Sequence, residues 1–298
     1  KHQLPKLPLA IEEVHFPTEN YIKESGGDFT DFQSPAHQRL IYEEFFKFEY
    51  HVLSRRLDSE REQGFQFDET QLRESLNAHR KKLPFTLTQG QITSLKEIAA
   101  DLCKPHPMNR LLQGDVGAGK TAVALLTAFS AMDQGFQVAI MAPTEILAEQ
   151  HFNNALKTFG DDIPVKLLVG KSTTAERKQI QTQLDSGTPT LIIGTHALIE
   201  DPVKFQKLGL VIIDEQHRFG VDQRKRLREK SVIQPHSLLM TATPIPRTLA
   251  LTAYGDLAVS VIRERPPGRT PILTKLVHQT EVGKMNEFIR AQVKEGRQ

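Results

Sequence analysis

The chain has 298 residues, enough for one large domain with smaller additions. Its 39% hydrophobic and 25% charged residues are typical of a globular protein, and a net charge of +2 provides no overall basic field for nucleic acid. A single cysteine, Cys103, excludes an internal disulfide and predicts a cytoplasmic location. No apolar run reaches 18 residues, so we expect no membrane span.

Residues 1–82 are predicted to form a mainly helical linker region. The prolines and glycines up to about Gly27 are typical of an irregular connector. Ser34 and Pro35 then fit the N-cap and first position of a long amphipathic helix, and a shorter helix is expected over 69–81. The long helix suits a strut towards a preceding domain or a helix packed on its neighbour.

The strongest signal in the chain is a phosphate-binding loop. Its residues satisfy G-x-x-x-x-G-K-[ST], with an apolar strand before them and an Ala/Leu-rich helix after them. Backbone N–H groups of such a loop bind phosphate oxygens, its lysine reaches the β- and γ-phosphates, and its hydroxyl binds Mg²⁺. The predicted nucleotide-binding residues are Gly114, Asp115, Val116, Gly117, Ala118, Gly119, Lys120 and Thr121.

Upstream of this loop, Thr88 and Gln91 form a T-x-x-Q capping box at the start of a helix. Many ATP-driven nucleic-acid motors carry an aromatic residue and a glutamine at this distance, where both contact adenine. Phe85 and Gln91 would fill those roles, since an amide can both donate to and accept from the base. That Gln91 only caps its helix is an equally good interpretation.

Short apolar strands alternate with helices over residues 83–265, which predicts a parallel α/β sheet covered on both faces. A Pro/Gly-rich linker follows. A strand over 272–278 and a helix over 281–296 are then expected, as the truncated start of a second α/β domain in 266–298. Because no later strand buries that helix, and residue 1 is not Met, we expect an excised segment.

Further candidate residues end the predicted strands, where open parallel sheets bind ligands. Asp214 suits a contact to Mg²⁺ through water, and Glu215 suits a base for the attacking water. Residues expected to couple these acids and the γ-phosphate to neighbouring motifs are Gln216, His217, Thr241, Ala242 and Thr243. Residues suited to sugar–phosphate contacts are Thr144, Gly194, Thr195 and His196.

The motifs GDVGAGKT, MAPTEILAEQ, GTHALI, VIIDEQHRFGV, MTATPIPRTLA and PPGRTP together resemble superfamily 2 helicases. More narrowly, they look like the RecG family of branched-DNA helicases, closely so over 83–298. The resemblance implies a RecA-like motor domain with Phe85 and Gln91 at the adenine. It implies that ATP and Mg²⁺ chemistry lies with Lys120, Thr121, Asp214 and Glu215.

By this resemblance, the chain is the helical linker and first motor domain of an ATP-dependent DNA helicase that remodels forks and Holliday junctions in recombination and repair. The implied partners are branched, duplex and single-stranded DNA; a monomer and a contact with a single-stranded-DNA-binding protein are further expectations. The wedge domain and the second motor domain with its arginine finger are missing, so the fragment alone should be nearly inactive.

Two alternatives stay open at this point. One is a duplex translocase of the transcription-repair coupling type, which normally has Glu where Gln216 stands. The other is a nucleotide-switched DNA-binding module without turnover.

Overall fold

A seven-stranded sheet lies at the centre of the larger of two units, Lys1–Arg265, in a computed structural model of the chain. The smaller unit is Pro266–Gln298. The structure describes residues 4–24, 31–160, 163–200, 203–215, 219, 221–231, 233–243, 257–264, 274 and 276–296. Among these residues, no helix is long and apolar enough to cross a membrane.

All neighbouring strands of the sheet are parallel, in the order β3-β4-β2-β5-β6-β1-β7. The strands are β1 (Asn109–Gly114), β2 (Gln137–Met141), β3 (Val165–Leu168), β4 (Leu191–Gly194), β5 (Leu208–Ile213), β6 (His236–Thr241) and β7 (Ala258–Ile262). Strands β2, β4, β5 and β6 are buried at every position, as short apolar runs predict for a sheet covered on both faces. The predicted RecA-like α/β fold is confirmed.

Within the larger unit, the described helices lie on both faces of this sheet or precede it, and one further helix, α10, belongs to the smaller unit. They are α1 (Leu7–His15), α2 (Glu19–Glu24), α3 (Pro35–Arg61), α4 (Glu69–Arg80), α5 (Gln89–Leu102), α6 (Lys120–Asp133), α7 (Glu145–Phe159), α8 (Thr174–Asp185), α9 (Val221–Arg228) and α10 (Val282–Lys294). Successive strand residues point to opposite faces, so Leu111 and Leu112 belong to different core clusters. Helices α5, α6 and α7 bury their apolar residues on one face, and α8 and α9 on the other.

The prediction of an irregular connector before residue 27 is wrong for the described part of that segment, which contains α1 and α2. Pro8 lies in the first turn of α1, where the missing N–H has no intrahelical acceptor to lose. Helix α1 packs on α3. The prediction failed because it treated every proline as a residue that ends a helix, whereas a proline in the first turn of a helix is tolerated.

Two other differences from the sequence predictions, and one agreement, concern the second half of the chain. Strand β7 was not anticipated; it pairs with β1 at the sheet edge, with Leu112 opposite Ser260. The strand expected over 272–278 is wrong for the described residues there, which lie outside helices and strands. Helix α10 in the smaller unit confirms the final predicted helix.

Candidate nucleotide-binding site

The predicted site residues meet at one edge of the sheet, because the carboxyl ends of parallel strands all lie there. Strand β1 ends at Gly114, β6 at Thr241, and β5 runs directly into Asp214. These three strands are consecutive in the sheet. The phosphate loop and the acid pair are therefore separated by a single strand.

The phosphate loop runs from the end of β1 to the first residue of α6, which confirms the predicted strand–loop–helix context. Gly117 and Gly119 have φ of 76° and 85°, a left-handed conformation that costs glycine little. A Cβ at Gly119 would also collide with the amide nitrogen of Gln91. The left-handed backbone therefore favours glycine at this position, and a Cβ would in addition displace the Gln91 amide.

Lys120 opens α6 and folds back over the loop. Its ammonium donates to the carbonyl oxygens of Gly114, at 2.7 Å, and Asp115, at 3.1 Å. Burial lowers the pKa of Lys120, while the carboxylates of Glu215, Asp214 and Asp115 act in the opposite direction. A phosphate group at this position would replace weaker carbonyl acceptors with charged ones.

Asp214 is held on three sides. Its backbone N–H donates to Met141 O at 2.9 Å, and its Oδ1 accepts from the Glu215 N–H at 3.0 Å. Its Oδ2 lies 2.8 Å from Nε2 of His151, a buried residue of α7. The Asp214 side chain is 12% exposed and lies close enough to Lys120 to influence the pKa of that lysine.

Glu215 has a φ of 48°, in the left-handed region that residues with a Cβ rarely adopt. Such a conformation costs on the order of 1–3 kcal/mol and persists where the surrounding structure imposes it, often at active sites. The Asp214 carboxylate that accepts the Glu215 N–H is part of that surrounding structure. In this conformation the Glu215 carboxylate lies near enough to Lys120 to act on the pKa of that lysine.

The residues present fit Mg²⁺ bound together with a nucleotide. No cluster of three or more His, Cys, Asp or Glu that could hold a metal occurs among the described residues. Mg²⁺ keeps several waters and commonly uses one or two protein oxygens plus substrate phosphates. Thr121 follows the loop lysine in the first turn of α6 and Asp214 directly follows β5, so each offers a side-chain oxygen that matches that sparse requirement.

Gln91 uses both ends of its amide inside the protein. Its Oε1 accepts from the Thr88 N–H at 2.8 Å, and its Nε2 donates to Ala118 O at 2.8 Å. The predicted capping box is confirmed. Gln91 is 1% exposed, whereas Phe85 is 49% exposed. The glutamine thus links a helix cap to the phosphate loop, and its contact to adenine stays a prediction.

The predicted coupling residues are only partly described. Thr241 is buried at the end of β6, and its Oγ1 lies 2.9 Å from Oγ1 of Thr243 and 3.3 Å from the Thr243 N. Ala242 lies between them. Gln216 and His217 lie outside the described residues.

The four residues predicted to contact a nucleic-acid backbone lie at the same edge. Thr144 caps α7 and accepts from the Leu147 N–H at 3.3 Å. Gly194 ends β4, where a Cβ would collide with the carbonyl oxygen of Leu168. Thr195 is buried, and within the described part of the chain its hydroxyl has no hydrogen-bond partner. Its neighbour His196 is exposed.

Two residues at this edge were missed by sequence analysis. His151 meets Asp214, and Glu264, just after β7, accepts from the Gly90 N–H at 2.7 Å and the Thr88 hydroxyl at 3.2 Å. The partners are 63 and about 174 residues apart in the chain. No local pattern signals such pairs.

The sequence of this chain is similar to those of known helicases. The family model for DEAD/DEAH box helicases matches residues 88–252. The ATP-dependent DNA helicase RecG of Synechocystis sp. is 48% identical over 100% of this chain and 34% of its own length. RecG of Aquifex aeolicus is 45% identical over 99% of this chain and 37% of its own length. The chain therefore spans little more than a third of these relatives.

Solved structures agree with this pattern. The structure of RecG bound to a three-way DNA junction matches with a TM-score of 0.79 and 40% identity, covering 99% of this chain and 40% of that one. The helicase MrfA bound to DNA matches with a TM-score of 0.54 and 18% identity over 78% of this chain and 36% of that one, a likeness of fold alone. The resemblance to RecG expected from the motifs is confirmed.

Proposed function

Because this chain belongs to the DEAD/DEAH box helicase family, we propose that it is the ATP-binding motor part of a DNA helicase that remodels branched DNA. The single observation that carries the proposal is that the phosphate-loop lysine and the Asp214–Glu215 turn lie at one sheet edge, close enough for both carboxylates to act on the pKa of Lys120. The likeness to RecG helicases, one of them solved on a DNA junction, supports branched DNA as the substrate.

In this proposal, each site residue has one task in ATP hydrolysis. Lys120 binds the β- and γ-phosphates, and Glu215 takes a proton from the attacking water. Thr121 and Asp214 are the residues that would hold Mg²⁺, which supplies positive charge against the phosphate oxygens when bound. Phe85 and Gln91 recognise adenine from the opposite end of the loop.

DNA binding is proposed for the neighbouring strand ends. The residues that would contact the sugar–phosphate backbone are Thr144, Gly194, Thr195 and His196. Such contacts position a strand without reading its bases and weaken steeply with added salt. The residues that would relay the nucleotide state to this surface are Gln216, His217, Thr241, Ala242 and Thr243.

We further propose a division into a helical linker over 1–82, a motor domain over 83–265 and the start of a second motor domain over 266–298. The complete protein would act in the cytoplasm as a monomer and contact a single-stranded-DNA-binding protein. An arginine from the rest of the second motor domain would complete the site. A comparable arginine accelerates phosphoryl transfer by roughly three to five decades, so residues 1–298 alone should hydrolyse ATP that much more slowly.

The test is steady-state ATP hydrolysis by the complete protein with a fork, a four-way junction or linear duplex. Stimulation that is strongest with the fork and the junction is expected. Equal stimulation by linear duplex would favour a duplex translocase instead. Nucleotide-dependent DNA binding without turnover would favour a molecular switch, and either outcome would overturn the proposal.

A further inference from the structure

His151 makes a specific contact with the proposed metal-binding acid. It lies on α7, is 5% exposed, and places Nε2 at 2.8 Å from Oδ2 of Asp214. An ionised carboxylate only accepts hydrogen bonds, so the ring nitrogen is the donor. The contact therefore defines both the direction of the bond and the ring atom that carries the hydrogen.

The two carboxylate oxygens of Asp214 have different protein donors. Oδ1 accepts from the Glu215 N–H, within the same turn, whereas Oδ2 accepts from His151 on a separate helix. Two donors on opposite oxygens hold the plane of a carboxylate, and each oxygen keeps a lone pair for water or metal. Without His151, the adjacent backbone N–H would be the remaining hydrogen-bond donor to the carboxylate among the described residues.

We propose that His151 is a positioning residue that holds the Asp214 carboxylate for Mg²⁺ and ties it to α7. This inference rests on the function proposed above. Groups that orient a metal ligand typically contribute 10- to 100-fold to metal affinity, because they fix the ligand before the metal arrives.

Helix α7 also connects His151 to the proposed DNA-binding residues. Thr144, a proposed backbone contact, caps this helix, and His151 follows seven positions later. At 1.5 Å per residue, the two residues are about 10 Å apart along one rigid element. Any displacement of the capped end on DNA binding therefore moves the donor to Asp214. Loss of His151 should thus lower the stimulation of hydrolysis by DNA as well as metal affinity.

The experiment measures Mn²⁺ binding by electron paramagnetic resonance in the complete protein with a non-hydrolysable ATP analogue. His151→Leu, which has no donor, should weaken Mn²⁺ binding roughly 10- to 100-fold. His151→Gln, whose amide nitrogen can stand near the position of Nε2, should stay within a few-fold of wild type. Nucleotide binding without metal should be unchanged in both variants.

Two controls frame this result. Asp214→Asn should weaken Mn²⁺ binding at least as much as His151→Leu. His236 is also buried, but its hydrogen bonds within the described part of the chain go to Met108 and Phe65, at the edge where the strands begin. His236→Gln therefore removes a buried histidine without touching the acid, and its Mn²⁺ affinity should equal that of wild type.

Wild-type Mn²⁺ affinity in folded His151→Leu would overturn the inference. If that variant does not fold, His151→Asn replaces it, because its shorter amide cannot reach Asp214; equal affinities of the Asn and Gln variants would then overturn it. If DNA does not stimulate ATP hydrolysis by the wild-type protein, the proposed helicase function is wrong. The Mn²⁺ affinities of the variants would still decide whether His151 positions Asp214.

Discussion

The strands of the sheet begin at one edge, the amino edge, and end at the other, the carboxyl edge. Both edges hold buried ionisable groups, but the hydrogen bonds of these groups differ. At the amino edge, Arg110 donates to Asp101 at 2.8 Å, to Glu97 at 3.2 Å and to Ser260 at 2.8 Å. At the carboxyl edge, the described residues within hydrogen-bond distance of the Lys120 ammonium offer carbonyl oxygens, and the carboxylates near it act at longer range. The Arg110 guanidinium therefore has charged partners within the protein, whereas the Lys120 ammonium and the carboxylates near it can still bind a ligand.

Groups with shifted pKa values occur at both edges, so a shifted pKa does not show which edge holds the functional site. Burial acts to raise the pKa of Asp101, but hydrogen bonds and charge from Lys104 and Arg110 outweigh it and lower the value. Burial lowers the pKa of His236 to about 4. Among the described residues, what distinguishes the carboxyl edge is a residue with a Cβ in the left-handed conformation, Glu215, since left-handed glycines occur at both edges. Perturbed titration alone is therefore a weak guide to function here.

The largest effect is expected at Glu215. In the complete protein, Glu215→Gln should keep ATP and Mg²⁺ binding but slow hydrolysis by about two to four decades, the usual scale of general-base loss. The change keeps the shape of the side chain and removes the proton acceptor. Steady-state hydrolysis measures it, with the exposed Glu74→Gln on α4 as a matched control. Wild-type turnover would assign the base to another residue.

Lys120→Ala should abolish one charged contact with the phosphates without affecting folding. A hydrogen bond to a charged group contributes about 1.5–3 kcal/mol, so nucleotide affinity should fall roughly 10- to 100-fold. Titration with a fluorescent nucleotide measures the change, and Lys157→Ala, an exposed lysine on α7, serves as the control. Unchanged affinity in a folded variant would refute the phosphate-loop assignment.

At the amino edge, a change of pH should instead change the free energy of unfolding, through His236. Met108 N–H donates to Nδ1 of His236 and Nε2 donates to Phe65 O, so the folded protein holds the neutral ring. Since burial lowers its pKa from 6.5 to about 4, the unfolded chain binds the extra proton first. The contribution is fully present above pH 6.5 and decreases as the pH falls towards 4.

Between pH 7 and pH 5, this histidine should cost the folded state ~2 kcal/mol of unfolding free energy. Urea denaturation at both pH values measures the loss in wild type and in His236→Gln. The glutamine variant should show a correspondingly smaller dependence on pH, while its nucleotide affinity at pH 7 matches wild type. Identical pH dependence in the two proteins would contradict the assignment of His236.

The smallest effect is expected at Gln91, which connects a helix cap with the phosphate loop. Gln91→Ala should cost ~1 kcal/mol of stability through the lost cap. If Gln91 also reads adenine, preference for ATP over GTP and CTP should fall further than stability does. Nucleotide competition and a melting curve separate these roles, with the exposed Gln89→Ala as the control. Lost stability with unchanged selectivity would leave only the capping role.

Sequence alone determined the parts of this protein that depend on neighbouring residues. The phosphate loop, the Thr88–Gln91 capping box and the apolar strands β1 to β6 were predicted and are present. Each is set by backbone preference, a side chain three positions away or a continuous apolar run. Because parallel strands end at a common edge, the meeting of the loop with Asp214 was also predictable in outline.

Only the tertiary structure decided which residues lie beside that site. Strand order placed β6 between the loop and the acids, and packing of α7 on the sheet brought His151 to Asp214 across 63 residues. The return of the chain through β7 brought Glu264 to the start of α5. These contacts depend on helix packing angles and sheet order, which arise from the whole core and leave no periodic or short-range trace in the sequence.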